Sequence, residues 1–145
     1  MDKKVQTIDD YTGILKLEAK CETLPQVDCP IVHTFAEGIY TRTMTAPAGT
    51  FIIGKRHRHQ IVNVLIRGRA LVFAGDGKAE EVSAPYTVVS EPYVKKMFHV
   101  LDEIEWMTIH PTEETDLELI EKEAIITEPD YVLYIEEQKK IKGGD

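Results

Sequence analysis

The chain has 145 residues, which gives room for one domain with a single hydrophobic core. Hydrophobic residues make up 43% and charged residues 29% of the sequence, a balance typical of soluble globular proteins. No apolar run approaches the roughly 20 residues that span a bilayer, and no apolar stretch follows the lysines near the N-terminus, as a secretory signal requires. These features predict a cytoplasmic protein and argue against a membrane or secreted one.

The formal net charge of −8 is unevenly distributed. Residues 42–101 hold nine basic and four acidic side chains, so this middle part carries a net charge of +5. The two ends together carry −13. The basic middle indicates either an anion-binding surface or a centre that the acidic ends neutralise, within one chain or between subunits.

The N-terminal third predicts one short helix followed by two strands. Apolar residues at helical spacing indicate a helix within 8–24 that ends before Pro25. Residues 30–45 alternate in polarity in places, and Glu37-Gly38 is a turn signal that divides this segment into two short strands.

The central block gives the clearest strand signal. Short runs rich in β-branched and aromatic residues recur every 8 to 12 positions and are separated by turns at Arg67-Gly68-Arg69 and Gly75-Asp76-Gly77. The predicted strands cover residues 50–53, 57–66, 70–73, 86–90, 94–100 and 105–110. This spacing is typical of an all-β sandwich or barrel.

The C-terminal part is acidic and predicts helices. Thr115 and Glu118 have the spacing of a capping box, and a last helix is expected to begin near Pro129. We therefore predict one domain over 1–145, with a barrel over 30–112 and a mainly helical extension over 113–145. The extension is expected to cover the barrel or to contact a neighbouring subunit.

Two segments resemble the sequence motifs of the cupin superfamily. Residues 54–68 are similar to its first motif, in which a His-x-His pair precedes a glutamate and a glycine, and residues 84–99 are similar to the second. The resemblance covers about half of the chain. It implies a single antiparallel double-stranded β-helix, or jelly-roll barrel, around a ligand pocket, with short helices at both ends of the chain.

The histidines of these motifs are the candidate metal ligands. Side chains two apart on a strand point to one face, so His57 and His59 are expected to enter the barrel together. The second motif implies His99 as a third ligand for a divalent metal such as Zn, Fe, Ni or Mn. The family's glutamate position falls on Asn63 or Ile61, depending on the register, so neither alignment supplies the acid.

Cationic side chains form the second candidate group, because arginine offers a planar fork to phosphate or carboxylate and lysine a point charge. The residues expected to line or rim the pocket beside the histidines and Asn63 are Arg42, Lys55, Arg67, Lys95 and Lys96. Arg56 and Arg58 have the opposite parity, so we expect them to point outward as surface or subunit-contact residues.

A narrower resemblance is to cupin-like proteins encoded by tailed bacteriophages. It rests on residues 90–96 and 105–112, together with 38–42 and 46–50 upstream. Phages make small oligomeric proteins that sequester the nucleotide signals of bacterial defence. The resemblance therefore implies a phage-encoded protein that works in the host cell cytoplasm.

Three functions follow as hypotheses. The first is a non-catalytic or weakly catalytic module that captures a small anionic ligand, nucleotide- or phosphate-like, and sequesters a host defence signal. The second is a metal-dependent isomerase, epimerase or dioxygenase, and the third is a structural or assembly protein of a phage. The resemblance also implies a homo-oligomer, dimeric or larger. We expect no membrane partner and no nucleic acid polymer, because the acidic ends would repel a polyanion.

Overall fold

The computed structural model describes residues 12–73 and 78–143. The predicted turn at Gly75-Asp76-Gly77 lies outside the described residues. No helix in the described ranges is long and apolar enough to cross a bilayer. The helices and strands in chain order are α1 (Thr12–Glu22), β1 (Ile31–Ala36), β2 (Ile39–Ala46), β3 (Phe51–Ile53), β4 (Arg56–His57), β5 (Ile61–Phe73), β6 (Ala79–Ser83), β7 (Tyr86–Ser90), β8 (Met97–Pro111), α2 (Leu117–Ala124), β9 (Ile125–Ile126) and α3 (Glu128–Gly143).

Antiparallel pairing confirms the predicted all-β fold. Seven strands form one sheet in the order β1-β2-β8-β5-β6, with β3 also paired to β8 and β7 to β5. The first half of β5 pairs with β7 and its second half with β6, while β8 runs beside both halves. The long strands β5 and β8 thus connect the two layers that enclose the core. A separate antiparallel pair, β4 with β9, attaches the C-terminal extension to the segment that precedes β5.

Period-two alternation along the long strands builds the core, because inward positions of β5 and β8 meet the inward faces of β2 and β6. Partly buried side chains of β7 and β3 pack against this cluster. The core residues are Ala46, Leu65, Ala70, Val82, Phe98, Val100, Ile104 and Trp106.

The strand boundaries differ from the prediction in three places. The strand expected over 57–66 is interrupted, since β4 ends at His57 and β5 begins at Ile61. The turn expected at 67–69 is instead an irregular stretch inside β5, where the register with β8 shifts. Gly68 allows it, because its φ of +93° suits glycine. Likewise, the two strands expected over 94–100 and 105–110 are one continuous strand, β8.

The C-terminal extension folds onto its own barrel. The cap of α2 is Asp116, whose side chain accepts hydrogen bonds from the backbone N–H groups of Glu118 and Leu119, so the capping box expected at Thr115 is wrong by one residue. The last helix, α3, begins at Glu128, as expected near Pro129. That residues 1–145 form a single domain stays a prediction.

Arg56 was expected to face solvent, and this expectation is wrong. Its side chain is 1% exposed, with Nε donating to Glu128 Oε1 at 2.8 Å and Nη1 to the Tyr93 carbonyl at 2.8 Å. The guanidinium carbon lies 4.0 Å from the centroid of the Tyr131 ring. Parity was predicted correctly, since Arg56 and His57 face opposite ways, but α3 covers the side that was taken for surface.

Lys95 joins the same buried arrangement instead of lining a pocket. Its side chain is 4% exposed, and Nζ lies 3.2 Å from carboxylate oxygens of both Glu128 and Glu18. We call Arg56, Lys95, Glu18 and Glu128 the buried ion cluster. It ties α1, β4, the segment before β8 and α3 together through charges that must remain paired.

Replacing Gly68 by alanine is expected to destabilise the fold strongly. A methyl group built there overlaps the Glu103 carbonyl on the neighbouring strand, in addition to the strain of its positive φ. Gly49 is a matched control, because its φ is +86° and nothing lies within 4 Å of its added methyl group. Urea unfolding should show a loss of about 1 kcal/mol for Gly49→Ala and a several-fold larger loss for Gly68→Ala. Equal losses would contradict the close strand contact.

Arg56→Met is expected to lower the free energy of unfolding by about 3 kcal/mol, because it leaves the partly buried Glu128 carboxylate and the Tyr93 carbonyl without their guanidinium donor. Arg67→Met is the control, since it removes the same charge from exposed ion pairs with Glu103 and Glu105. The urea midpoint should fall sharply for the first variant and scarcely move for the second. A similar midpoint for both would show that the buried ion cluster does not hold the extension.

Candidate functional site

A cavity of about 380 Å³ lies inside the barrel, between the inward faces of β2, β5 and β8 and the covering helix α2. Its volume lies at the lower end of the range of about 300–1,000 Å³ that is typical of small-molecule sites. Apolar side chains, among them Met44, Ile52, Phe98 and Trp106, form one wall. From α2 come Leu117, Ile120 and Glu121, so the extension completes the cavity.

Strand register sets three polar side chains side by side on the cavity wall. Arg42 of β2 is paired with Thr108 of β8, and Thr108 is paired with Asn63 of β5. Side chains directly opposite each other on neighbouring strands lie on one face, with Cβ atoms about 5 Å apart. We call Arg42, Thr108 and Asn63 the polar row. It spans three adjacent strands inside an otherwise largely apolar chamber.

Aromatic and imidazole rings lie next to the polar row, because Tyr40 and His110 form the pair two positions along β2 and β8 from Arg42 and Thr108. The rings of His57 and His110 are 5.4 Å apart between centroids, and His110 stacks on Tyr40 at 5.4 Å. The Tyr40 hydroxyl lies 2.7 Å from Nδ1 of His33, which is itself exposed. Of these inner rings, only His57 was predicted from the sequence. Tyr40 and His110 share the inward parity of the polar row on β2 and β8, and that parity could have found them.

Burial keeps both inner imidazoles neutral at ordinary pH. Burial, with smaller contributions from the neighbouring His110, Arg42 and Lys55, lowers the pKa of His57 to about 3. Burial also lowers the pKa of His110, with Arg42 adding to the effect. The cavity therefore presents two neutral rings, each able to donate or accept one hydrogen bond.

A second polar group lies at the β5 side of the cavity. Ser90 Oγ accepts hydrogen bonds from Asn63 Nδ2 at 2.7 Å and from Lys96 Nζ at 2.9 Å. Thr108 Oγ1 donates to Asn63 Oδ1 at 3.3 Å, which fixes the orientation of the amide. We call Ser90, Lys96 and Asn63 the hydroxyl–ammonium group. Its donors converge on one serine oxygen that also lines the cavity.

The charged residues that line the cavity carry a net charge of +1, from Arg42, Lys55, Lys96, Glu91 and Glu121. Lys55 donates to Glu121 across an exposed ion pair and thereby lowers the pKa of that carboxyl. Glu91 accepts hydrogen bonds from the amide of Gln60, at 3.0 and 3.2 Å. Arg42 has no ion pair or hydrogen bond with any residue that the structure describes. Its guanidinium therefore meets the cavity with its donors available.

Other predicted site residues lie elsewhere. His99 stacks on exposed Phe51 at 4.4 Å, on the outer face of β8, because its neighbours Phe98 and Val100 point inward. Arg67 is exposed and pairs with Glu103 at 2.7 Å. His59, also exposed, lines a smaller cavity of about 60 Å³ that it shares with His57 and His110.

The donors do not fit the metal centre that the resemblance implied. The convergence expected of His57, His59 and His99 is wrong for His99, which the β8 strand separates from the cavity. Within residues 12–73 and 78–143, no group of three or more His, Cys, Asp and Glu side chains is placed to hold a metal ion. Of the α2 carboxylates that line the two cavities, Glu121 is engaged by Lys55 and Glu123 lines the smaller cavity.

Solved structures with the same strand arrangement include three that cover most of this chain. An uncharacterised conserved protein with a double-stranded β-helix domain from Klebsiella pneumoniae aligns with a TM-score of 0.52 at 13% identity, over 79% of this chain and 95% of that one. A cupin superfamily protein from Desulfitobacterium hafniense gives a TM-score of 0.50 at 4% identity, over 77% and 93%. A cupin 2 domain-containing protein from Halorhodospira halophila gives 0.50 at 18% identity, over 67% and 77%.

These identities are low, so the likeness concerns the fold alone. No protein-family model matches the chain, and no curated protein matches it in sequence. The antiparallel sheet with its two long connecting strands agrees with the aligned structures and with the prediction made from the motifs. The chain has the double-stranded β-helix fold of the cupin superfamily.

Proposed function

We propose that this protein is a small-molecule-binding protein that captures an anionic ligand, nucleotide- or phosphate-like, in the barrel cavity. The observation that carries the proposal is the position of Arg42, a guanidinium on the cavity wall without an ion pair among the described residues. A planar fork of N–H donors recognises the oxygens of phosphate or carboxylate. An anion is the ligand that compensates such a charge best.

The surroundings of Arg42 support the same ligand class. Thr108 lies beside Arg42 in the polar row, and the neutral rings of His57 and His110 lie next to that row. Because these groups are largely buried, attraction between the guanidinium and an anion is screened less than it would be in water. The apolar wall offers contact area to the uncharged part of the ligand.

The biological role is proposed from the phage resemblance. A phage protein of this kind would sequester a nucleotide signal of host defence in the cytoplasm, as a homo-oligomer, dimeric or larger. The phosphate-bearing part of such a signal is the part that Arg42 would recognise.

Isothermal titration with inorganic phosphate, sulfate and linear and cyclic nucleotides tests this proposal. At least one of these anions should bind, and Arg42→Gln should weaken its binding by about tenfold or more, as expected for the loss of a charged hydrogen bond. Arg67→Gln is the control, because it removes an arginine whose ion pairs lie on the exposed surface. Absence of heat with every anion would refute anion capture.

Anion binding should strengthen as the pH falls. A bound anion stabilises the protonated form of His57, so its pKa in the complex lies above the value of about 3 in the free protein. Between these two values the complex binds more protons than the free protein, and affinity rises with acidity. Sulfate is the appropriate probe, because its own charge is constant over this range.

The test compares sulfate affinity at pH 4 and pH 7 for the native protein and for His57→Asn. The native protein should bind more tightly at pH 4, and the variant should lose part of this dependence while still binding. Titrations at pH 4 in two buffers of different ionisation enthalpy should report proton uptake by the native protein. An affinity independent of pH would show that the imidazole does not face the anion.

A further inference from the structure

The outer side of the sheet that carries the polar row consists of uncharged side chains. Because strand residues alternate between faces, the chain neighbours of the polar row point outward. The strand pairings align five of these outward residues in one row across β1, β2, β8, β5 and β7. In that order the row is Val32, Thr43, Met107, Val64 and Thr87. All five side chains are exposed or half-buried.

A second row lies two positions further along the same five strands. It consists, in the same strand order, of Thr34, Thr41, Ile109, Val62 and Val89. The outer sides of β2 and β5 continue at opposite ends of the rows with Ile39 and Ile66, which are 45% and 42% exposed. We call the two rows, together with Ile39 and Ile66, the uncharged face.

The other outer surface of the barrel has a different composition. There Arg69 forms ion pairs with Glu81 and Asp102 across β5, β6 and β8, as is ordinary for a sheet face in contact with water. Charge returns at the margin of the uncharged face, where Arg67 pairs with Glu103. A centre without charges inside a charged rim is typical of a protein–protein interface.

The size of the uncharged face fits a partner of protein size. Its five strands lie about 4.8 Å apart, and the distance along the strands from the level of Ile39 to that of Ile66 is about 20 Å. The face therefore measures about 500 Å². Two such faces in contact would cover about 1,000 Å², which reaches the size expected of a specific interface.

Charge indicates which partner fits. The chain has a formal net charge of −8, so two copies repel each other, and contact through a face without charges adds least to this repulsion. A charged peptide or a nucleic acid would find no side chain on this face with which to form an ion pair. The same uncharged surface on a second copy leaves no charge unpaired.

We propose that the uncharged face is the contact between two copies of this chain, packed sheet on sheet about a twofold axis. Two sheets pack in this way with their strands about 30° apart, and each copy offers the same surface to the other. The proposal specifies the surface of the homo-oligomer named under the proposed function. It does not depend on anion capture.

Sedimentation of the full chain tests the contact. The native protein should sediment at twice the mass of one chain. Val62→Lys and Val89→Lys should each raise the dimer dissociation constant by about 100-fold or more, because like charges then meet across the contact. Both positions are exposed in the single chain, at 37% and 42%, so the added ammonium remains hydrated there. Phe51→Lys is the control, since Phe51 is 54% exposed on β3 in the other layer and should leave the constant unchanged.

Opposite charges should restore the contact. An equimolar mixture of Val62→Lys and Val62→Glu should form the dimer that neither variant forms alone, and circular dichroism verifies that each variant folds. A native protein that sediments as a monomer would overturn the interface, and anion titration of the same sample decides separately whether capture stands. A dimer that neither lysine variant weakens would also overturn it. Edge pairing through β1 would give that result, because β5 and β7 lie away from this edge.

Discussion

The alternation of Arg56 and His57 on the short strand β4 is the constraint on which the rest of the site depends. One strand position turns a guanidinium toward α3, and the next turns an imidazole into the barrel. Because Arg56 is almost fully buried, its pairing with Glu128 cannot be exchanged for water without a large cost. The helical extension is therefore held against β4, and the cavity acquires its cover.

That attachment determines the electrostatics of the chamber as well as its shape. Helix α2 lines the cavity beside the imidazoles, and burial is the largest cause of the low pKa of His57. The helix also brings Glu121 to Lys55, which form an ion pair, whereas Arg42 acts on the same carboxyl more weakly and without a hydrogen bond among the described residues. The covered barrel concentrates positive potential around a few oriented donors.

Sequence patterns predicted the fold and part of the site. Motif resemblance and strand periodicity gave the barrel, and parity correctly placed His57 and Asn63 on the inner wall. The sequence could not show that Arg56 is buried, because its partner lies 72 positions later and only the folded extension brings the two together. His99 was misplaced because motif spacing is local, whereas the face of β8 on which a residue lies depends on the register of the entire strand. His110 lies outside both motifs, so it was not predicted to line the cavity.

The close contact of Gly68 with Glu103 divides the long strands into two functional lengths. On one side, Asn63, Thr108 and His110 face the cavity, although Leu65 and Trp106 of the same lengths belong to the hydrophobic core. On the other, Ala70, Val72, Phe98 and Val100 pack in or against that core. Substitutions at the polar positions of the first length can therefore alter ligand preference while the apolar positions of both lengths continue to supply folding stability.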